Sequence, residues 1–460
     1  MSARVLAFVV TCACVSASAE NMAAAPRSYD VDQTVALALA QNPEIAIARK
    51  KVQAARGGVV EARSGFLPSL VSSGLLRQRE HQTDSRLRDE DYNASVRVVQ
   101  NLYTGGATSS RLAIARLNVK KEELELQALM NRVAMDVRVA FSELLLNQAK
   151  IRVHAQSVTV FQEELKTQQE RLAAGTVGQL NVRRAEVALA NEQPELIDAQ
   201  TQLKNSYLRL AELLGMASRP ANFEVAGQLQ YQPLHPDMNA CLARADAERP
   251  EIKAREKEIE VEDRQADLDR SALRPQVEAF SGYEVYNERD PLIGREFNHG
   301  YVLGLNAQWN IFDGHATKGR LEATRARREG AVQALRSTRL SVAADVRSAF
   351  LDLEQAARVL EFETKNVQTA DESLNIAKAN LGAGLGTQLD ILQAAADVTR
   401  TRTIRLSAVF QHNVALARLA RACATSPPAL AFQPASGNAP KRDDAAIVEL
   451  AEPPQRLGEK

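Results

Sequence analysis

The sequence predicts a mainly α protein with a membrane β-barrel portion: duplicated long antiparallel helical hairpins carrying four transmembrane β-strands per chain. Three observations lead there. Sequence blocks recur at a nearly fixed spacing, helical stretches outrun the width of an ordinary domain, and short segments alternate apolar with polar residues.

The duplication dominates the chain. Arg63-Ser64-Gly65-Phe66-Leu67-Pro68 matches Arg270-Ser271-Ala272-Leu273-Arg274-Pro275, and Pro43-Glu44-Ile45 matches Pro250-Glu251-Ile252, both at an offset of 207 (270 − 63; 250 − 43). Asn101-Leu102-Tyr103-Thr104-Gly105 matches Asn310-Ile311-Phe312-Asp313-Gly314 at 209 (310 − 101). Val137 to Phe141 matches Val346 to Phe350, and Gln179-Leu180-Asn181 matches Gln388-Leu389-Asp390, at the same 209 (346 − 137; 388 − 179). The two extra residues fall between the Pro68 and Asn101 blocks, where a surface loop accepts an insertion. The repeats run over about 31–215 and 240–424.

Each repeat holds the same order of elements. A helix starts near Asn42-Pro43, an Asn cap followed by Pro in the first turn, and runs to about Ser64, with Pro68 stopping it. Two strands follow, then a very long helix, a Gly-rich turn and a second helix. Between Ala107 and Ala173 there is neither Pro nor Gly. Leu112, Val119, Leu126, Val133 and Ala140 recur every seven residues, with Val137 and Leu144 between and Ile151, Val158, Phe161 and Leu165 beyond. Leu335, Val342, Val346, Ala349, Leu353, Ala356 and Leu360 repeat the rhythm. This is the narrow stripe of a coiled coil. At about 1.5 Å per residue each long helix spans roughly 100 Å. After Gly175-Thr176-Val177-Gly178 and after Gly384-Leu385-Gly386 the chain folds back, and helices 179–215 and 388–424 return antiparallel. Taken alone, the helices suit a soluble coiled-coil scaffold equally well.

The strands are expected at about 69–77, 93–103, 277–286 and 300–312. In the last, Tyr301, Leu303, Leu305, Ala307, Trp309 and Ile311 point one way, while Val302, Gly304, Asn306, Gln308 and Asn310 point the other. That is the apolar-out, polar-in pattern of a membrane barrel, at roughly the nine to eleven residues of a tilted crossing. The charged segments 79–91 and 287–299 are the expected exposed turns. A closed barrel needs about eight strands or more, and open edges do not survive in lipid, so several chains must pool theirs. The competing reading of the strands is a small soluble patch capping a helical rod.

Composition agrees with these expectations. The 460 residues carry a formal net charge of zero, which argues against nucleic acid as a partner. Arg4, the apolar run Val5 to Val15 and Ala17-Ser18-Ala19 read as a signal peptide over 1–19. A lipoprotein start at Cys12 or Cys14 fits less well, because Thr11 precedes Cys12 and no Leu stands three before Cys14. No later stretch has about eighteen consecutive apolar residues, so any crossing must be a barrel. Only Cys241 and Cys423 remain after the signal, too few for a disulfide scaffold. Two readings stay open for them: pairing in an oxidising compartment, or two buried thiols.

The run Asn101-Leu102-Tyr103-Thr104-Gly105-Gly106 and its twin Trp309-Asn310-Ile311-Phe312-Asp313-Gly314 resemble the strand-to-helix hinge of TolC-type outer-membrane factors. Leu381-Gly382-Ala383-Gly384-Leu385-Gly386-Thr387-Gln388-Leu389-Asp390-Ile391-Leu392 resembles that family's periplasmic hairpin tip, and Asn42-Pro43-Glu44 and Phe66-Leu67-Pro68-Ser69 also fit. The resemblance implies a homotrimer with about twelve pooled strands in the outer membrane of a Gram-negative cell. It implies a helical tunnel through the periplasm that serves as exit duct for efflux or type I protein secretion. A periplasmic adaptor and an inner-membrane ABC or proton-driven transporter would dock at the tips, and outer-membrane lipid would surround the strands. The implied tip residues, for gating and adaptor contact, are Gly175, Gly178, Gln179, Leu180, Gly384, Gly386, Gln388 and Leu389. The family's tips carry acidic rings at the pore constriction. Asp390 falls on one such position, and Gln393 stands at the next. Three Asp390 carboxylates near one axis would raise each other's pKa or hold a cation. The same Asp also reads as an ordinary helix cap. Leu381 and Gly386 stand where the best-known members have their latching Tyr and Arg, so any latch here uses other bonds.

The six histidines are scattered singly with no HExxH spacing, so no metal site and no cofactor is expected. Gly382 to Gly386 lacks the GK[ST] ending of a phosphate loop and follows a helix, so it reads as a turn. With no nucleophile–base arrangement, an enzyme is not expected. The domain plan is a signal peptide (1–19), a first repeat (20–215), an equatorial linker (216–239), a second repeat (240–424) and a flexible tail (425–460). A periplasmic coiled-coil adaptor, or a scaffold without a pore, is the competing function; the duplication and the strands speak against it.

Overall fold

The computed structural model describes residues 27–78, 90–216, 223–231, 233–234, 236–287 and 297–424. The expected signal peptide, the charged turns, part of the linker and the tail lie wholly or largely outside them.

The first repeat contains β1 (Arg27–Tyr29), α1 (Val31–Gln41), α2 (Pro43–Ser64), β2 (Ser69–Gln78), β3 (Glu90–Tyr103), α3 (Ala107–Ala173) and α4 (Gln179–Leu213). After β4 (Phe223–Val225) come α5 (Met238–Glu248), α6 (Pro250–Arg270), β5 (Gln276–Asn287), β6 (Phe297–Gln308), α7 (Ala316–Gly382) and α8 (Gln388–Ala422). The long helices have 67 residues each and the return helices 35 each.

Caps set the helix starts. Asn42 accepts the amides of Glu44 and Ile45 at 2.8 and 3.2 Å, with Pro43 beginning α2 where a missing N–H costs nothing. Its own amide nitrogen donates to Leu213 O at 2.9 Å, fixing α2 to the end of α4. The equivalent Arg249 has no capping bond; it is buried beside Asp345 and Glu251 instead. Sequence reasoning passed over α1 and α5. Both are announced by an Asp cap, Asp30 with a reciprocal bond from Gln33 and Asp237 bonded to the Asn239 amide. The linker also holds an unexpected strand, β4, which pairs parallel with β1 and stacks Phe223 on Tyr29.

Within each repeat the long helix and its return helix lie antiparallel. α2 packs along α3, α6 packs against both α3 and α7, and α8 crosses to α3, joining the repeats. One core collects Val137, Ala140 and Leu144 of α3 with Leu210, Ile45 and Ala38. The other collects Val346, Ala349 and Leu353 of α7 with Leu416, Leu419 and Ile252. The duplicated sequence thus buries matching residues in matching places.

β2-β3-β5-β6 form one antiparallel sheet. Its last strand is Phe297–Gln308, shifted from the expected 300–312. Gln308 pairs with Gln276, the first residue of β5, and Pro275 before it has no N–H to continue the ladder. Trp309 leaves the sheet and donates its indole N–H to Leu273 O at 3.0 Å. β3 begins earlier than expected, at Glu90, and carries an irregularity between Asn101 and Tyr103. β2 and β5 each run a residue or so past their expected bounds.

Candidate functional site: the sheet faces and the hairpin tips

Register assigns the sheet's faces. Tyr301 lies opposite Tyr283 and Tyr283 opposite Val96; Leu303 lies opposite Ser281, and Ser281 opposite Val98. These belong to one face, on which Tyr301, Leu303 and Leu305 are 88%, 77% and 70% exposed, too apolar a patch for water. The other face is polar. Asn306 donates to Glu278 at 3.0 Å, Arg97 pairs with Glu284 at 2.9 Å and covers the Phe280 ring, and Ser73 bonds Ser95 at 2.9 Å. Gly304 has no Cβ because one would lie 2.5 Å from the Phe280 ring.

The opposite end is built by two matching turns. Gly175 and Gly384 take φ of +71° and +76°, the left-handed conformation that ends a helix cheaply only with glycine. In the first, Thr176 N donates to Arg171 O and Gly175 N to Leu172 O, both at 2.9 Å. In the second, Leu385 N donates to Asn380 O at 2.8 Å and Gly384 N to Leu381 O at 3.2 Å. Two glycine-terminated turns of one design therefore fold the hairpins back at one end.

The return helices begin differently. Gly178 starts α4 with no side-chain cap, whereas Thr387 starts α8 in a full capping box. Thr387 N and Oγ1 donate to the Asp390 carboxylate at 2.7 and 2.8 Å, and the Asp390 amide faces Thr387 Oγ1 at 3.4 Å. Asp390 is thus the box's partner at the third residue of the helix, in its first turn, and Thr387 is the cap, a pattern legible in Thr387-x-x-Asp390. The backbone and hydroxyl bonds from Thr387 hold the Asp390 carboxyl below its ordinary value in the single chain.

Of the expected tip residues, Gly175, Gly178, Gln179, Leu180, Gly384 and Leu389 are exposed, Gly386 is half-buried, and Asp390 and Gln393 share an exposed face of α8. Gln388 is different: it is 5% exposed and its side-chain nitrogen reaches Glu164 of α3. Gln168, 1% exposed, donates to the same Glu164 oxygen at 2.8 Å. Farther from the tip, Thr399 donates to Ser157 at 2.9 Å and His154 meets Glu192 at 2.7 Å. Sequence reasoning missed Glu164, Gln168, His154 and Ser157, because a search for apolar heptads skips polar positions.

The family model described as outer membrane efflux protein matches residues 34–216 and 241–425, one segment per repeat. The cobalt-zinc-cadmium resistance protein CzcC of Cupriavidus metallidurans is 22% identical over 382 residues, covering 83% of this chain and 86% of that protein. The alkaline protease secretion protein AprF of Pseudomonas aeruginosa is 27% identical over 183 residues, covering 39% of this chain and 38% of that one. A crystal structure of a membrane protein from Pseudomonas aeruginosa superposes with a TM-score of 0.74 at 20% identity, covering 85% of this chain and 92% of that one. Matched along both of its repeats, the chain belongs to the outer membrane efflux protein family.

Proposed function

We propose that this chain is the outer-membrane exit duct of a tripartite efflux or type I secretion system, working as a homotrimer. Three copies pool their four-stranded sheets into one barrel and their hairpins into one periplasmic tunnel, which the tips close. The observation that carries this reading is the sheet itself. It is apolar on one face and polar on the other, and among the described residues β2 and β6 have one edge each without a partner strand. In lipid such edges require pairing, and sister chains supply it.

The tips are the surface offered to a periplasmic adaptor and, through it, to an inner-membrane ABC or proton-driven transporter. CzcC is named for metal resistance and AprF for protease secretion, which supports a duct whose cargo is chosen by the transporter. Transport here is passive and needs no reaction at the duct.

The test is reconstitution. Protein extracted from outer membranes in detergent should cross-link to a species of three chains, migrate faster unheated than heated on a gel, and give discrete conductance steps in a planar lipid bilayer. A monomer that stays in solution without detergent and leaves the bilayer silent rules the duct out.

A further inference from the structure

Cys241 sits in the first turn of α5, its amide bonded to Asp237 O at 3.0 Å. Cys423 closes α8, its amide bonded to Leu419 O at 2.8 Å. Cys423 is 2% exposed and Cys241 half-buried, and both belong to the second repeat's core with Ala245, Leu419 and Ala422. Although 182 positions apart in sequence (423 − 241), the two cysteines pack into that one cluster, as free thiols. The duplication makes the juxtaposition specific to this repeat: the equivalent positions of the first repeat hold Thr34 (241 − 207) and Leu214 (423 − 209), both buried and neither a thiol.

We infer that Cys241 and Cys423 form an intrachain disulfide in the exported protein, a covalent staple between α5 and the end of α8. The helical body of an outer-membrane duct lies in the periplasm, where disulfides form and persist. Cys12 and Cys14 fall in the expected signal peptide, so its removal leaves these two sulfurs as each other's partner within the chain.

The order of the chemistry follows from exposure. Burial, with the Cys241 thiol nearby, pushes the Cys423 thiol up to about 12, so the more accessible Cys241 attacks first. Its thiolate displaces one sulfur from the disulfide of a periplasmic thiol–disulfide oxidoreductase, forming a mixed disulfide. Cys423 then attacks the Cys241 sulfur and displaces the other. Two electrons and two protons pass to the oxidoreductase, which leaves as its dithiol.

The full chain is purified from outer membranes without reductant, denatured with excess iodoacetamide and weighed intact. The expected result is no carbamidomethyl group on the unreduced chain and two after prior reduction. Two groups on the unreduced chain, or chains joined to one another on a non-reducing gel, overturn the inference. A second reading uses the folded protein. Reductant should lower the thermal transition of the wild type and leave a Cys241→Ser/Cys423→Ser chain unmoved; an equal shift in both overturns the staple.

Discussion

At two equivalent positions the first repeat has glycine and the second a side chain, yet the backbone is left-handed in both. Gly106 and His315 have φ of +93° and +69°, and Gly215 and Ala424 have +72° and +52°. A Cβ on Gly215 would lie 2.7 Å from Gln41 O, so glycine is required there, whereas Ala424 carries its Cβ and the strain of that conformation. An L residue in that region costs roughly 1–2 kcal/mol, part of which glycine gives back as unfolded-chain entropy. Ala424→Gly should therefore gain about 0.5–1 kcal/mol, seen as a higher transition temperature, while Gly215→Ala lowers it. Asp390 supports a second prediction. In one chain, Thr387 lowers its pKa, so the cap's contribution is complete above the ordinary carboxylate value and fades as pH falls through the lowered one. In the proposed trimer, three copies around an axis would push the other way, because like charges resist ionising together. Cation preference in bilayers should fade in acid, and Asp390→Asn should weaken it several-fold. Selectivity unchanged by that substitution sinks the acidic ring and leaves only the cap.

Helix bounds were legible nearly to the residue, because Pro and Gly punctuate this chain sharply. Ala107 to Ala173 lies between Gly105-Gly106 and Gly175, and the return helices start after Gly178 and Thr387. The interior of those helices was only half legible. Val133, Val137, Ala140 and Leu144 are buried as the heptads require, but nearer the tips the buried positions include His154, Ser157 and Gln168. Periodicity of apolar residues says nothing about polar side chains that satisfy each other across a helix pair. Glu164 is the centre of that polar seam, receiving Gln168 from its own helix and Gln388 from α8. With Leu381 and Gly386 at the positions of the resembled family's latch, this contact is our candidate for the bond that keeps the tip shut. A hydrogen bond to a half-buried charge such as Glu164 is worth roughly 1–3 kcal/mol, and about 1.4 kcal/mol is tenfold in an equilibrium. Gln388→Ala and Glu164→Gln should each raise the open fraction of reconstituted channels about tenfold. Glu361→Gln, which breaks only an exposed pair with Lys365, should leave it alone. Equal conductance in all three variants removes the seam from gating.

For the whole molecule, the number of copies is the property least written in one chain. Among the described residues, four strands and two bare edges state that partners are needed, and nothing in a single sheet's register counts them. What one chain does encode is which face meets lipid, through the alternation of β6 and the register that carries it to β5 and β3. Leu303 and Leu305 stand on the apolar face of β6, and Asn306 on the polar one, paired with Glu278. A cation on the lipid side of a barrel strand costs about 2–4 kcal/mol near the bilayer centre, and three copies would multiply that cost in one assembly. Leu303→Arg should therefore empty the outer-membrane fraction of heat-modifiable protein. Asn306→Ser, on the polar face, should lose one hydrogen bond, leave assembly intact and shift conductance modestly. If Leu303→Arg assembled as well as the wild type while Asn306→Ser did not, the faces would be reversed, and the helices would have to line something other than a duct continuous with this barrel.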